Sequence, residues 1–455
     1  MGQAFSGSAC RSPTAILILY ALPAFPLAAL ALPLFVVVPT FYSEVMGLPV
    51  AAVGGALFGI RMLDAACDPM FGWLADRWHV FGGRRRGFFL ASIPLTASAA
   101  FMLFWPPQSV GLGYLVLWGG LLSLGFTWSS LPYTAWGAEL SSDYAERTRI
   151  VAFREGTTLT GTFAAISLPF VFEPTARSGP EGLGTIAILV AATLPITSLA
   201  AFVFVPEPLN RSKRELGLVQ SLVFMSKNRP FLRLIAAFLL NGFANAIPAI
   251  LFLYFVSERL GAPAWRGPFL LLYFACAVIG VPIAVNTARR WGKHTAWSGA
   301  MIATCAIFAL SGFLRDSDLV AFGAICVCTG VLLGFDLVLP PSMQADVIDN
   351  DTAVSGSQRT GMYFAAWALA TKLSLAAAVG VVFPLLSVFG FDPAQERSSP
   401  DALEGLSMLY AWLPIVPKLA AIGLIWRFPI DRETQRELLG SHLTGLSSAK
   451  AETLK

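Results

Sequence analysis

Between residues 15 and 427 the sequence is a succession of apolar runs, each long enough to cross a lipid bilayer. Twelve can be drawn: 15–42, 50–74, 87–106, 112–137, 154–173, 183–205, 232–256, 268–288, 295–314, 319–343, 360–389 and 405–427. A spanning helix needs about 20 apolar residues, set by the thickness of the hydrocarbon core. Inside lipid the backbone must satisfy its own hydrogen bonds, so such runs have to be helical. Of the 455 residues, 56% are hydrophobic and 13% charged; soluble domains carry about 25% charged residues. The predicted class is an all-α membrane protein of 12 transmembrane helices with polar ends.

The first run, Ala15 to Tyr42, is too long for the apolar part of a cleaved leader, and another run follows at once. The net charge of +4 comes from basic residues in loops, which does not point to nucleic acid. Six cysteines (Cys10, Cys67, Cys276, Cys305, Cys326 and Cys328) form no CxxC pair, and all but Cys10 lie in apolar runs. The three histidines, His79, His294 and His442, fall in loops or the tail. Neither a metal site nor a His-based triad has material to be built from. An enzyme is therefore not expected, and no metal or cofactor either. The expected partners are the bilayer and a small-molecule substrate, handled by a monomer.

Lys and Arg set the orientation, because loops rich in them stay cytoplasmic. They crowd the chain ends and the loops after even-numbered spans, for example Arg84, Arg85, Arg86, Arg289, Arg290 and Lys293. Both termini and the polar linker 206–230 are expected on the cytoplasmic side, in a cell membrane of the bacterial inner-membrane type. The linker divides the spans six and six. The expected organisation is an N-terminal segment 1–14, a six-helix bundle 15–205, the linker 206–230, a second bundle 231–430 and a tail 431–455. "GWLADRWHVFGGRRR" (72–86) and "VNTARRWGKHTAW" (285–297) place a basic, glycine-containing turn at the same point of each half. This six-plus-six plan resembles the major facilitator superfamily. The first turn matches its G-x-x-x-D-R…G-R-R loop at Gly72, Asp76, Arg77, Gly83, Arg84 and Arg85. Pairs among Asp76, Arg77, Arg84 and Arg85 can latch the cytoplasmic side.

Charges inside the spans are the strongest functional signal, since each costs roughly 2.5–3.5 kcal/mol at a bilayer centre on insertion scales. Asp64 and Asp68 are four residues apart and share a face of span two, with Arg61 one turn earlier. Pro69 removes a helical hydrogen bond and frees the carbonyl of Ala65. Two carboxylates and a loose carbonyl form a set of hard oxygen ligands for a coupling cation. A salt bridge from Arg61 would satisfy one acid only. Elsewhere Lys372 lies too deep to snorkel easily and is assigned to a cavity, while Lys418 is read as a snorkelling residue. Asp336 is a candidate partner for Lys372. Asn241 and Asn245 suit either interhelical hydrogen bonds or substrate contact. Gly55 and Gly59 read as a helix-packing GxxxG pair, and Pro23, Pro26, Pro33 and Pro39 predict a kinked first span.

"DAACDPMFGWLADR", "PYTAWGAELSSDYAERTRIVAFRE" and "ADVIDNDTAVSGSQRTGMYFAAWALATK" resemble the glycoside–pentoside–hexuronide:cation symporters, the melibiose-permease-like branch of the superfamily. The resemblance runs over about 15–428. It implies a cation site at Asp64, Asp68 and Thr127. The asparagine that the family places before the second acid is Cys67 here, a poor ligand for Na⁺, which favours H⁺ as the coupling ion. The sugar-gripping acids on helices one and four are replaced by Ala28 and Ser130, whereas Arg154 and Lys372 remain. The expected cavity residues are Ala28, Trp128, Ser130, Arg154, Lys372 and Asn241. The expected function is cation-coupled symport of a small solute, possibly a sugar or glycoside, by alternating access. The alternative is an amphipathic lipid or organic anion, since relatives of this fold carry lysophospholipids.

Overall fold

The computed structural model describes residues 13–80, 83–107, 110–141, 143–172, 183–208, 217–390 and 399–430. The expected N-terminal segment up to residue 12, the tail 431–455 and the linker cations Arg211, Lys213 and Arg214 lie outside the described residues. The described helices are α1 (Thr14–Ala21), α2 (Ala24–Thr40), α3 (Val50–Arg77), α4 (Arg86–Phe104), α5 (Leu112–Glu139), α6 (Tyr144–Phe172), α7 (Leu183–Phe204), α8 (Leu218–Lys227), α9 (Arg229–Tyr254), α10 (Arg266–Trp291), α11 (Lys293–Ser311), α12 (Leu319–Ser355), α13 (Thr360–Val388), α14 (Pro400–Ala411) and α15 (Ile415–Ile425).

Proline explains two breaks. The first run divides into α1 and α2 at Leu22–Pro23, and the last divides into α14 and α15 before Ile415, at Pro414. Pro69 does not break α3, so no unwound segment accompanies Asp64 and Asp68. α6 begins at Tyr144, ten residues ahead of the expected span, and α12 continues to Ser355 past Pro340 and Pro341. Among the described residues nine stretches are long and apolar enough to cross a membrane. The sequence-drawn runs at α3, α6 and α11 fall short on that measure. Those helices carry Arg61, Asp64 and Asp68, or Arg147, Arg149 and Arg154, or Lys293 and His294. In α6 the hydroxyls of Thr157, Thr158 and Thr162 donate to carbonyls one turn back, which satisfies them inside the helix.

The chain divides into two compact units, 1–218 with 355–366, and 219–354 with 367–455. In the first, α4 packs on α5 and α7, α2 on α6, and α3 on α5. Its core joins Tyr20, Leu30, Phe89, Leu122, Trp136 and Leu194. In the second, α15 packs on α9 and α11, with a core around Leu251, Phe255, Phe322 and Tyr410. Large apolar side chains also point outward, such as Ile196 at 68% and Val320 at 89% exposure, as a lipid-facing surface requires.

Glycine sets close helix approaches, though not at Gly55 and Gly59. A Cβ at either would meet nothing within 4 Å, so the expected GxxxG packing is not made by described residues. The tight contact lies further along α3, where a Cβ on Gly72 would fall 2.7 Å from the carbonyl oxygen of Gly361.

Candidate functional site

The first unit gathers its buried acids where α3 crosses α5. Asp64 and Asp68 lie one turn apart on α3, 6% and 1% exposed. Both face Thr127 of α5. Its hydroxyl donates to Asp64 Oδ1 at 2.6 Å and lies 3.4 Å from Asp68 Oδ1. A hydroxyl has one proton, so it can donate to only one of the two carboxylates at a time. Arg61 is partly buried on the same helix and is drawn electrostatically to Asp64. Among the described residues no three His, Cys, Asp or Glu side chains converge as a metal cluster.

Trp128, next on α5, stacks on Phe71 with ring centroids 6.0 Å apart and meets Phe88 at a tilt of 50°, 5.6 Å away. Its indole N–H is buried with no hydrogen-bond partner among the described residues. Ser130 lies at the limit of hydrogen-bonding distance from the Thr127 carbonyl, 3.5 Å. Ala28 is buried in α2. Arg154 is buried and bonds its neighbour Glu155 through two nitrogens, at 2.6 and 3.0 Å, and reaches the Tyr20 hydroxyl. Tyr20 and Tyr133 in turn donate to each other's backbone carbonyls. Arg154 therefore already has a counter-ion, which the sequence did not disclose.

At the α3–α4 turn the predicted Asp–Arg pairing is present, and it is larger than expected. Arg85, fully buried, reaches Asp76 Oδ1 at 2.7 Å, Glu139 Oε1 at 2.6 Å and the Ala75 carbonyl at 2.8 Å. Arg84 adds a 2.7 Å bond to Glu139. Asp76 also accepts the N–H groups of Gly361 and Met362 at the start of α13. Glu207 receives the backbone N–H groups of Arg84, Arg85 and Arg86, capping α4 with negative charge where the helix dipole favours it. Arg77 places its guanidinium over the Trp73 ring. Burial alone would lower Arg85, but Glu139 and Asp76 outweigh it and hold the guanidinium above its ordinary pKa. Arg84 is lowered, by burial and by the charge of Arg85. Glu139 and Glu207 belong to this cluster, and sequence reasoning missed them. Each sits at a segment end, where an acid looks ordinary.

In the second unit the expected pairing of Asp336 with Lys372 is replaced by another. Lys418 is not a snorkelling residue: it is 3% exposed in α15, and its ammonium donates to Asn241 and Asn245. It stands 3.6 Å from Asp336. Helix α15 faces α9 rather than an interface, so the stem carries the charge inward. Asn241 is thereby an interhelical ligand of a lysine. Lys372 is partly buried in α13. Lys293 pairs with Asp346 at 2.5 Å, echoing in this unit the Arg85–Glu139 pair of the other.

The sequence pattern described as MFS/sugar transport protein matches residues 19–432. The chain belongs to this family. Members of the MFS/sugar transport family are transporters rather than enzymes, and this one is a multi-pass membrane transporter with the major facilitator fold. It is 25% identical over 407 residues to the isoprimeverose transporter of Lactiplantibacillus pentosus, covering 86% of this chain and 84% of that one. It is also 25% identical over 442 residues to the sodium-dependent lysophosphatidylcholine symporter 1 of Mus musculus, covering 87% and 81%. The crystal structure of the transporter FucP in the outward conformation superposes with a TM-score of 0.66 at 13% identity, covering 92% of this chain and 99% of that one. That likeness concerns the fold.

Proposed function

We propose that this transporter is a cation-coupled symporter of a small solute working by alternating access, with H⁺ as the coupling ion. The observation that carries this reading is the Thr127 hydroxyl reaching two buried carboxylates on one helix face. Buried carboxylates facing one hydroxyl across two helices are the kind of site at which secondary transporters hold a coupling ion. Proton binding neutralises the pair, and a neutral site costs less to move through an occluded state. Cys67 beside Asp68 offers sulfur where Na⁺ requires hard oxygen. Trp128, with a stacking face and an uncommitted N–H, is the first solute contact to expect. Asp76, Glu139, Arg84 and Arg85 act as the cytoplasmic latch.

A solute with several hydroxyls is favoured by the sugar-transporting relatives. Ala28 and Ser130 leave few acceptors to grip one, and this supports a second reading, an amphipathic lipid or organic anion. The lysophosphatidylcholine symporter, as similar to this chain as the isoprimeverose transporter, agrees with it.

Thermal unfolding of the purified protein against sugars, glycosides, uronates, small organic acids and lysolipids, with and without Na⁺, tests the assignment. A ligand that binds only the folded state raises the midpoint. A glycoside or sugar alone raising it supports the first reading. A response to lysolipid alone supports the second, and stabilisation by Na⁺ contradicts the choice of H⁺.

A further inference from the structure

Lys418 fills a position that three oxygen atoms define. Nζ lies 2.7 Å from Asn241 Oδ1, 2.8 Å from Asn245 Oδ1 and 3.6 Å from Asp336 Oδ2. The two amides stand four residues apart on α9 and the carboxylate comes from α12. Their orientation does not depend on the lysine alone. Asn245 donates its Nδ2 to Asp336 Oδ2 at 2.9 Å, which turns its own oxygen to the ammonium. Trp297 of α11 donates to Asp336 Oδ1 at 2.7 Å and fixes the carboxylate. Three elements, α9, α11 and α12, thus hold a cluster of hard oxygens carrying one negative charge.

A pure helix-to-helix lock would draw the ammonium onto the carboxylate. Here the ammonium donates to two neutral amide oxygens and also pairs with the carboxylate at 3.6 Å, so three oxygens from two helices surround one positive charge. One carboxylate and two amide carbonyls carry a single negative charge, which a monovalent cation balances. A narrow recess lined by Asn245, Thr304, Cys305, Phe308, Ile415 and Lys418 adjoins it.

We propose that the second unit contains a monovalent-cation site whose cation is the chain's own Lys418. The tethered ammonium occupies it permanently, so the wild-type site does not respond to added cations. Shortening the side chain opens the site to a free cation or a small primary amine. This site is separate from Asp64 and Asp68 and stands whatever ion, if any, those acids bind.

The test uses Lys418→Ala in the full-length purified protein, made in an Asp64→Asn/Asp68→Asn background so that ions at the first unit do not contribute. Thermal unfolding is followed while Na⁺ or propylammonium is added, with choline as the oversized control. The expected result is a lowered midpoint that Na⁺ or propylammonium restores in part, that choline does not, and that the Lys418-containing parent does not show. A Lys418→Met/Asp336→Asn variant, with no charge to balance, is expected to fold and to ignore all three. If Lys418→Ala cannot be isolated, purification is repeated with propylammonium throughout. Recovery only with the amine supports the site; no recovery, while the doubly neutral variant folds, overturns it. Equal responses from Lys418→Ala and its parent, or from the doubly neutral variant, also overturn it.

Discussion

The hydroxyl of Thr127 on α5 lies 2.6 Å from Asp64 and 3.4 Å from Asp68, two carboxylates one turn apart on α3. Thr127→Val keeps the shape and removes the hydroxyl. It is expected to lower concentrative uptake by about tenfold to a hundredfold, since losing a hydrogen bond to a charged group costs about 1.5–3 kcal/mol. Asp68→Asn should abolish accumulation while leaving solute exchange partly intact. Uptake assays in proteoliposomes read both; full accumulation by Asp68→Asn contradicts the assignment.

Arg85 holds two buried carboxylates, Asp76 and Glu139. Removing one partner of a buried ion pair leaves uncompensated charge and costs about 3–5 kcal/mol. Arg85→Ala should therefore lower the unfolding midpoint strongly. Thermal unfolding reads this loss; a midpoint for Arg85→Ala equal to that of the wild type would contradict the pairing.

Such pairs show what a sequence can and cannot carry. Asp64 and Asp68 are legible because charge four residues apart in an apolar run has few reasons to exist, and the basic turn 72–86 is legible from its glycine and arginine pattern. Glu139 and Glu207 are not, because their meaning comes from Arg84 and Arg85, which approach them only in the folded chain. Lys418 and Asp336 were misassigned for the same reason: depth in a span shows that a charge must be compensated, but not by which helix. The breaks at Pro23 and Pro414 followed proline chemistry, while Pro69 sits within an unbroken α3.

Arg154 separates the two classes of solute. Glu155 neutralises it in the structure. Glu155→Gln leaves the guanidinium with uncompensated charge, so the midpoint should fall by an amount that Arg154→Gln/Glu155→Gln restores. If Arg154 is an anion receptor, Glu155→Gln should instead bind organic anions more tightly. Thermal shifts with uronates and small organic acids distinguish these outcomes.

Trp128→Phe keeps an aromatic ring against Phe71 and Phe88 and deletes the indole N–H, which has no hydrogen-bond partner among the described residues. The variant should unfold within a degree or two of the wild type. Its affinity for any solute identified in the thermal panel should drop by roughly threefold to tenfold, the worth of one hydrogen bond. Unchanged affinity removes Trp128 from the solute site.

The central claim is that Asp64 and Asp68, bridged by Thr127, take up the coupling proton. It can be tested without knowing the solute, by infrared difference spectroscopy of the reconstituted protein as pH is lowered. The account predicts a protonated-carboxyl band in the wild type that disappears in both Asp64→Asn and Asp68→Asn and shifts in Thr127→Val. Spectra from wild type and both Asn variants that superimpose would contradict it.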